Sequence, residues 1–348
     1  MRCCVECFKD IEIRSVIHSF GQMGDCDFCP SKNVFTYDVD ADPNPIAAMM
    51  IKLIETYSVS NSEDAKLLKI SLRDDWEVFS AGAEVIQMLA QKLCASAYSA
   101  NDDIFTKKVI IPKISDITYL DQFCIVKGHS WQHFANSIKY NNRFHSEIFC
   151  ADAFIYFLEG ISRTYSAGTK FFRARISGNK NGFSTDEMGA PPPDKRTPGR
   201  VNPEGIGILY LSSDDKTVLS EIRATMFDYV SIGTFELLKD IKIANLSGIS
   251  RTSPFSYQGE LERYAVNRDV FPEISLEIAK PLRRSDSPLE YLPTQYIAEF
   301  IKSQGYDGVE FISTFREDGN NIAAFDQFLF KCVDVKTVEI AKIQYEIR

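Results

Sequence analysis

The sequence predicts an α+β protein in which a strand-rich C-terminal half follows a helical region and a short cysteine-rich segment. Three observations carry that expectation. Five of the nine cysteines crowd into the first 29 residues. From about Pro45 to Ala100, apolar residues recur at three- and four-residue spacing, the signature of amphipathic helices. From about Thr169 the texture changes to short apolar runs bounded by glycine and serine, with helical stretches interleaved in irregular order. That irregularity argues for α+β rather than for a doubly wound sheet. The expected divisions are residues 1–40, 41–164 and 165–348.

At 348 residues the chain has room for two or three domains. Its 45% hydrophobic and 25% charged content is that of an ordinary globular protein. The net charge of −9 is shared by both halves: residues 1–150 hold 15 basic and 20 acidic side chains, and the remainder 24 and 28. Neither half has the basic balance of a general phosphate-backbone binder, so general nucleic-acid binding is not expected. "MRCCVECFKDIEIR" lacks the apolar core of a signal peptide. The longest apolar runs, such as "IAAMMIKLI", fall short of the ~20 residues that span a bilayer. A cytoplasmic location without membrane attachment is the expectation, and it makes the cysteines metal ligands or buried thiols rather than a disulfide framework.

Cys4 and Cys7 form one C-x2-C pair and Cys26 and Cys29 a second, with eighteen residues between them. This is zinc-ribbon spacing, in which two tight turns each present two thiolates to one tetrahedral Zn2+. Cys3 is a spare that could stand in for Cys4. A closed four-thiolate site is structural, and it lets a segment of about 40 residues fold around little core.

"YDVDADPNPIAAMM" reads as a linker and helix start, and Ser80 with Glu84 resembles a capping signal for a later helix. A further long helix is expected over about Ser146 to Ser162. In "GHSWQHF", His129, Trp131 and His133 have no other ligand at a convincing spacing, so packing or surface hydrogen bonding is the better reading. The pair Arg14 and His18 is one residue short of a helical ribonuclease motif.

In the C-terminal half, "KFFRARIS" is a strand candidate and "GIGILYLSS" a buried strand. "DDKTVLSEIRATMF" then places Glu221 on the helix that follows. "YVSIGTFEL", "IKIANL", "GVEFIST", "NIAAFD" and "FLFKCVDV" are further strands. "PTQYIAEFIKSQG" opens with Pro293 and closes with Gly305, the usual asymmetry of a helix. The polar, proline-rich "STDEMGAPPPDKRTPG" is either a mobile flap or a surface loop.

The succession "FFRARI", "GRVNPEGIGILYL", "TVLSEIR", "YLPTQYIAEFIKSQGYDGVEFIST" and "NNIAAFD" resembles the RES-domain family over roughly residues 165–330. The arginine, glutamate and serine for which that family is named fall on Arg200, Glu221 and Ser313. The family's strand-end tyrosine falls on Tyr210 and its early arginine on Arg173. Val201 stands where many members carry tryptophan or methionine. The N-terminal half, with its paired cysteines and "RDDWEVF", resembles the HEPN/RES N-terminal domain.

The resemblance implies an ADP-ribosyltransferase-like fold that binds NAD+ and breaks its nicotinamide–ribose bond, acting as a toxin or defence effector by phosphorolysis or hydrolysis. It also implies an antitoxin or regulatory partner, and a homodimer by analogy with relatives. The residue types suit the chemistry. A carboxylate such as Glu221 stabilises charge developing on a ribose ring, and Arg200 or Arg173 can grip a pyrophosphate. Tyr210 offers a flat ring for the nicotinamide or a handle on the ribose, and Ser313 a hydrogen bond to a ribose hydroxyl. Two other readings stay open. One is a protein ADP-ribosyltransferase on the same fold; the other is a nucleotide- or partner-binding module with little turnover.

Overall fold

A computed structural model of the chain describes residues 1–343 except 99–102, 250–251, 258–259, 282–284 and 317–318. The backbone forms two compact units. The first joins Met1–Gly128 to Thr252–Arg268, and the second joins His129–Arg251 to Asp269–Arg348. No helix among the described residues is long and apolar enough to cross a membrane.

The first unit opens with strand β1 (Arg2–Cys4), helix α1 (Ile11–Phe20) and strands β2 (Gln22–Gly24) and β3 (Val34–Asp38). The strands form an antiparallel sheet in the order β1-β3-β2. The eighteen-residue spacer between the cysteine pairs therefore holds a helix. Asp10 caps it by accepting a hydrogen bond from the Ile13 amide at 3.0 Å, and Gly21 ends it with φ 61°, a left-handed conformation that favours glycine. Arg14, from the discounted ribonuclease motif, donates to the carbonyls of Val5 and Phe8 and so braces the turn that carries Cys4 and Cys7. Helix α2 (Pro45–Glu55) starts as the sequence suggested, with Asn44 as its cap and Pro45 in its first turn.

The stretch that read as helical to about Ala100 is interrupted. Strands β4 (Ser58–Val59) and β5 (Lys66–Leu67) precede helices α3 (Leu68–Trp76), α4 (Ala83–Leu93), α5 (Ala95–Tyr98) and α6 (Asp103–Thr106). Strand β6 (Lys108–Ile110) pairs with both β4 and β5, and helix α7 (Ile117–Phe123) follows. The polar turn over 60–65 breaks the helical run there. Ser80 does not cap α4, whose N-cap is Gly82. Among the described residues a serine–glutamate capping box lies elsewhere, at Ser184 and Glu187.

The second unit contains helices α8 (Trp131–Tyr140) and α9 (Ala151–Gly160), strands β7 (Ser162–Tyr165), β8 (Lys170–Ser177) and β9 (Leu209–Ser212), and helix α10 (Asp215–Glu221). Strands β10 (Tyr229–Leu237) and β11 (Ile241–Asn245) follow. Helix α11 (Leu261–Asn267) belongs to the first unit. The second unit resumes with α12 (Val270–Ala279), α13 (Leu292–Ser303), β12 (Gly308–Ile312), β13 (Asn320–Ala324) and β14 (Phe330–Glu339). The helix expected over 146–162 is shorter at both ends: residues 146–150 precede it, and Ser162 already opens β7. Trp131, which opens α8, is buried, while His133 in the helix and His129 just before it are exposed and stacked with ring centres 4.6 Å apart.

One eight-stranded mixed sheet, in the order β14-β10-β8-β9-β13-β12-β11-β7, organises this unit and makes it α+β. Its ladders are antiparallel except for β11 with β12. Phe171, Leu209, Leu211, Phe235, Ile243 and Ile322 bury one core. Ala174, Val218, Val230 and Ile232 form a smaller one between sheet and α10. The sheet has one weak seam. Strands β8 and β9 pair at Phe172↔Ser212 alone, whereas β8 and β10 match over eight residue pairs.

Candidate active site

Glu221 is positioned by the start of its own short helix. Asp214 accepts hydrogen bonds from the amides of Lys216 at 3.0 Å and Thr217 at 2.8 Å, and from the Thr217 hydroxyl at 2.7 Å. Burial opposes ionisation of Asp214, yet the Thr217 hydrogen bonds outweigh it and hold its carboxyl below the usual range. The helix ends at Glu221. There the carboxylate meets three donors from three different elements. Oε1 accepts from Ser313 Oγ at 2.8 Å and from Asn321 Nδ2 at 2.7 Å, and Oε2 accepts from Arg200 Nη2 at 3.2 Å. Asn321 is held in turn by Ser212, whose hydroxyl donates to Oδ1 at 2.6 Å. Three convergent donors fix the plane of one carboxylate.

Arg200 sits in a tight turn closed by the Gly199 amide on the Asn202 carbonyl at 2.9 Å. Two buried side chains at the start of α13 hold that turn. Thr294 donates to the Arg200 carbonyl at 2.6 Å, and the Gln295 amide donates to the carbonyls of Gly199 and Asn202, both at 2.8 Å. Beyond the carboxylate, the guanidinium donates to the Ala279 carbonyl at 2.9 Å and lies 5.3 Å from the centre of the Phe311 ring. Arg200 and Glu221 are each 14% exposed, so their ion pair is sheltered from the solvent that weakens surface pairs.

Tyr210 turns its hydroxyl onto Asn202, donating to Oδ1 at 2.7 Å, and burial pushes its phenol up to about 12. Gly199 is required for this approach. A Cβ there would stand 2.7 Å from the Tyr210 oxygen and 2.5 Å from Asn202 Oδ1. Arg173 fills the seam between β8 and β9, donating Nη1 to the Tyr210 carbonyl at 3.2 Å. Its Nε is buried without a hydrogen-bond partner. Desolvation pushes its guanidinium down to about 10, with the neighbouring charge of Arg175 adding to the effect.

These side chains surround one cavity of about 270 Å3, lined by Arg173, Arg200, Tyr210, Ser212, Glu221 and Asn321 above an apolar floor that includes Leu211, Val218 and Phe311. Ser313 does not line it; this buried residue reaches the site through Glu221. Four of the five residues singled out from sequence thus share the cavity, and the fifth supports the carboxylate. Sequence reasoning missed Asn321, Ser212, Thr294 and Gln295. The motifs "NNIAAFD" and "PTQ" contained three of them, but their residue types carry no chemistry until they are placed beside a charge.

The first unit holds a second constellation. The thiols of Cys4, Cys7, Cys26 and Cys29 all lie within 4.8 Å of one another, with separations of 3.8 Å for Cys4–Cys7, 3.5 Å for Cys4–Cys29 and 3.7 Å for Cys7–Cys26. Tetrahedral Zn2+ with bonds of ~2.3 Å requires sulfur–sulfur spacings of about 3.8 Å. The donor set therefore fits the ion, and Cys3 is not part of it.

The sequence model of the RES domain matches residues 170–346, just over half of the chain, and those residues carry all of the cavity just described. The chain belongs to the RES domain family. Among solved structures, three chains match significantly. One is that of the M. tuberculosis MbcT–MbcA toxin–antitoxin complex, at 11% identity and a TM-score of 0.29, covering 53% of this chain and 93% of that one. No curated protein sequence matches. Within the matched span, Glu221 is held by Arg200 and Ser313.

Proposed function

We propose that this RES protein consumes NAD+ by cleaving its nicotinamide–ribose bond, by phosphorolysis or hydrolysis, and acts as a toxin or defence effector restrained by its N-terminal region or by an antitoxin. The observation that carries this reading is one cavity containing a tightly oriented carboxylate and, beside it, a buried guanidinium with an unused donor. Departure of neutral nicotinamide leaves positive charge on the ribose, and in this reading the Glu221 carboxylate stabilises it. Arg173 supplies the cation for the pyrophosphate, since its Nε has no protein partner. Arg200 is occupied by Glu221 and the Ala279 carbonyl, which makes it first a holder of the carboxylate. The sheet is read as ADP-ribosyltransferase-like on the strength of the family resemblance. Cys4, Cys7, Cys26 and Cys29 are proposed to hold a structural Zn2+, which when bound supplies folding energy to the first unit.

The test incubates the full chain with NAD+, with and without inorganic phosphate, and identifies products by mass spectrometry. Nicotinamide release is expected from wild type, and Glu221→Gln should lower it by about 100-fold or more, the usual scale for losing an electrostatic stabiliser. ADP-ribose 1″-phosphate identifies phosphorolysis and free ADP-ribose hydrolysis. ADP-ribose found attached to protein would instead select the transferase reading. Wild type that binds NAD+ without turning it over, alone or with its partner removed, would defeat the enzyme reading.

A further inference from the structure

The RES model begins at residue 170, yet α8, Phe149 and Phe154 come before it and belong to the same compact unit as the cavity. They pack on α13, the helix whose first turn holds Arg200. Phe134 and Phe149 place their ring centres 5.7 and 5.3 Å from that of Tyr296, and Phe149 and Phe154 place theirs 5.1 and 5.8 Å from that of Phe300. At about 100° per residue, Tyr296 and Phe300 share one side of α13, while Thr294 and Gln295 lie on the other. One side of the helix therefore rests on α8 and α9. The other holds the carbonyls of Gly199, Arg200 and Asn202.

Apolar packing is non-directional and tolerates sliding, so the register of α13 on α8 needs a polar contact. Lys139, near the end of α8, makes one. Its side chain is only 8% exposed, and its ammonium meets Glu290 Oε2 at 2.6 Å. Glu290 lies in the single turn Pro288–Tyr291, which Ser287 caps by accepting from the Leu289 amide at 3.2 Å. The next residue, Tyr291, is the N-cap of α13. Thr294 Oγ1 lies 3.0 Å from the Tyr291 carbonyl and 2.6 Å from that of Arg200. Ion pair and clamps thus occupy one short stretch, residues 290–295. A sheltered ammonium cannot leave its carboxylate without being stranded, so the pair resists movement of this end of α13. A shift of about 1 Å there would carry the clamping bonds past the ~3.5 Å limit of a hydrogen bond.

We propose that Lys139 is a positioning residue for Arg200: through Glu290 it fixes the start of α13, and with it the turn that presents Arg200 to Glu221. Its effect on catalysis rests on the NAD+ reading above, whereas its effect on the turn does not. The site then depends on a helix that precedes the matched span.

The experiment compares the full chain as wild type, Lys139→Met, Thr294→Val and the double variant of these two, with Gln132→Ala on the exposed face of α8 as the control. Hydrogen–deuterium exchange read by mass spectrometry follows a peptide over residues 196–208, where the Gly199 amide is bonded to the Asn202 carbonyl, beside a peptide from β10. Lys139→Met is expected to speed exchange about fivefold in the first peptide and to leave the second unchanged. Gln132→Ala should match wild type in both. With NAD+, Lys139→Met is expected to lower kcat by about tenfold at unchanged KM, the scale of a small misplacement far from the reacting bond. The double variant should lose no more than Thr294→Val alone, because both changes release the same turn. The proposal is overturned if exchange in the turn is unchanged, if both peptides speed up together, if kcat is unaffected, or if the two losses multiply. Should Lys139→Met not fold, Glu290→Gln, which keeps an oxygen for the ammonium, carries the same test. NAD+ cleavage with unchanged exchange in Lys139→Met sinks the positioning role and leaves the enzyme. Faster exchange of the turn in a protein that never cleaves NAD+ sinks the enzyme and leaves the positioning role.

Discussion

Arg173 carries a charge that costs stability, and the proposed anion is what would offset that cost. A guanidinium pushed down to about 10 by desolvation is one whose charge the fold disfavours, so it costs stability at every pH below that value, where it stays protonated. The cost is relieved as pH rises through about 10, or when an anion reaches the buried Nε. Pyrophosphate is therefore expected to raise the melting temperature of wild type at neutral pH and to leave that of Arg173→Met unchanged, as read by differential scanning fluorimetry. An equal rise in both proteins would remove Arg173 from the anion site. Asn321 makes a related point about orientation. Its amide nitrogen serves Glu221 while its oxygen takes the Ser212 hydroxyl, so both ends of the amide are used and its orientation is fixed.

Among the elements, α10 controls where Glu221 stands. The helix is seven residues long, too short to persist without help, and its N-cap Asp214 provides three of its anchoring bonds. Asp214→Ala is expected to destabilise the protein by about 1 kcal/mol at neutral pH. The sign of the pH dependence follows from the depressed folded-state value of this carboxyl. Its contribution is present above the unfolded value near ~3.9 and is lost as pH falls through the folded one. Urea unfolding of wild type and variant should therefore differ at pH 7 and converge at the lowest pH that still supports folding; a constant gap would assign the effect to something other than the cap. The split between β8 and β9 is the complementary feature. A full ladder there would close the seam, whereas a single bridge leaves room for Arg173 to satisfy the Tyr210 carbonyl.

For the whole molecule, the compact units do not follow the chain in sequence. Residues 252–268 fall inside the span matched by the RES model yet pack in the first unit. Within that unit Tyr264 stacks on Trp76 at 6.1 Å, Arg268 pairs with Asp75 at 2.9 Å, and Asn267 accepts from the Ile125 amide at 2.7 Å. The motif "RDDWEVF" supplies Asp75 and Trp76 to these contacts. A chain trimmed to residues 129–348 exposes Leu261, Tyr264 and Asn267 without their partners, and is expected to bind a hydrophobic dye and melt lower than the full protein. A trimmed chain that melts like wild type would show that the segment needs no support. The thiol cluster sets a second expectation at this scale. One zinc per chain should be measurable by atomic absorption, and its removal by a chelator should lower the melting temperature, as should Cys7→Ser. Metal-free protein of unchanged stability would remove zinc from the fold.

The sequence by itself determined the α+β class, the limits of strands such as Lys170–Ser177 and Tyr229–Leu237 and the four metal-spaced cysteines, whereas the residues named at the site came from the family resemblance. Local periodicity, turn residues and ligand spacing are properties of neighbouring residues, and they are legible without a fold. "GIGILYLSS" was legible only in part. Its strand is confined to Leu209–Ser212, because Gly205 takes φ 85° and Gly207 packs against Arg196. The tertiary structure alone decided that Ser313 and Asn321 share one oxygen of Glu221, that Thr294 and Gln295 hold the turn of Arg200, and that Arg173 fills a seam in the sheet. It alone decided that residues 252–268 belong to the first unit. Each of these depends on strand order and on which carbonyl, carboxylate or amide lies within ~3 Å. Such distances are set when remote segments pack together, and no pattern along the chain encodes them.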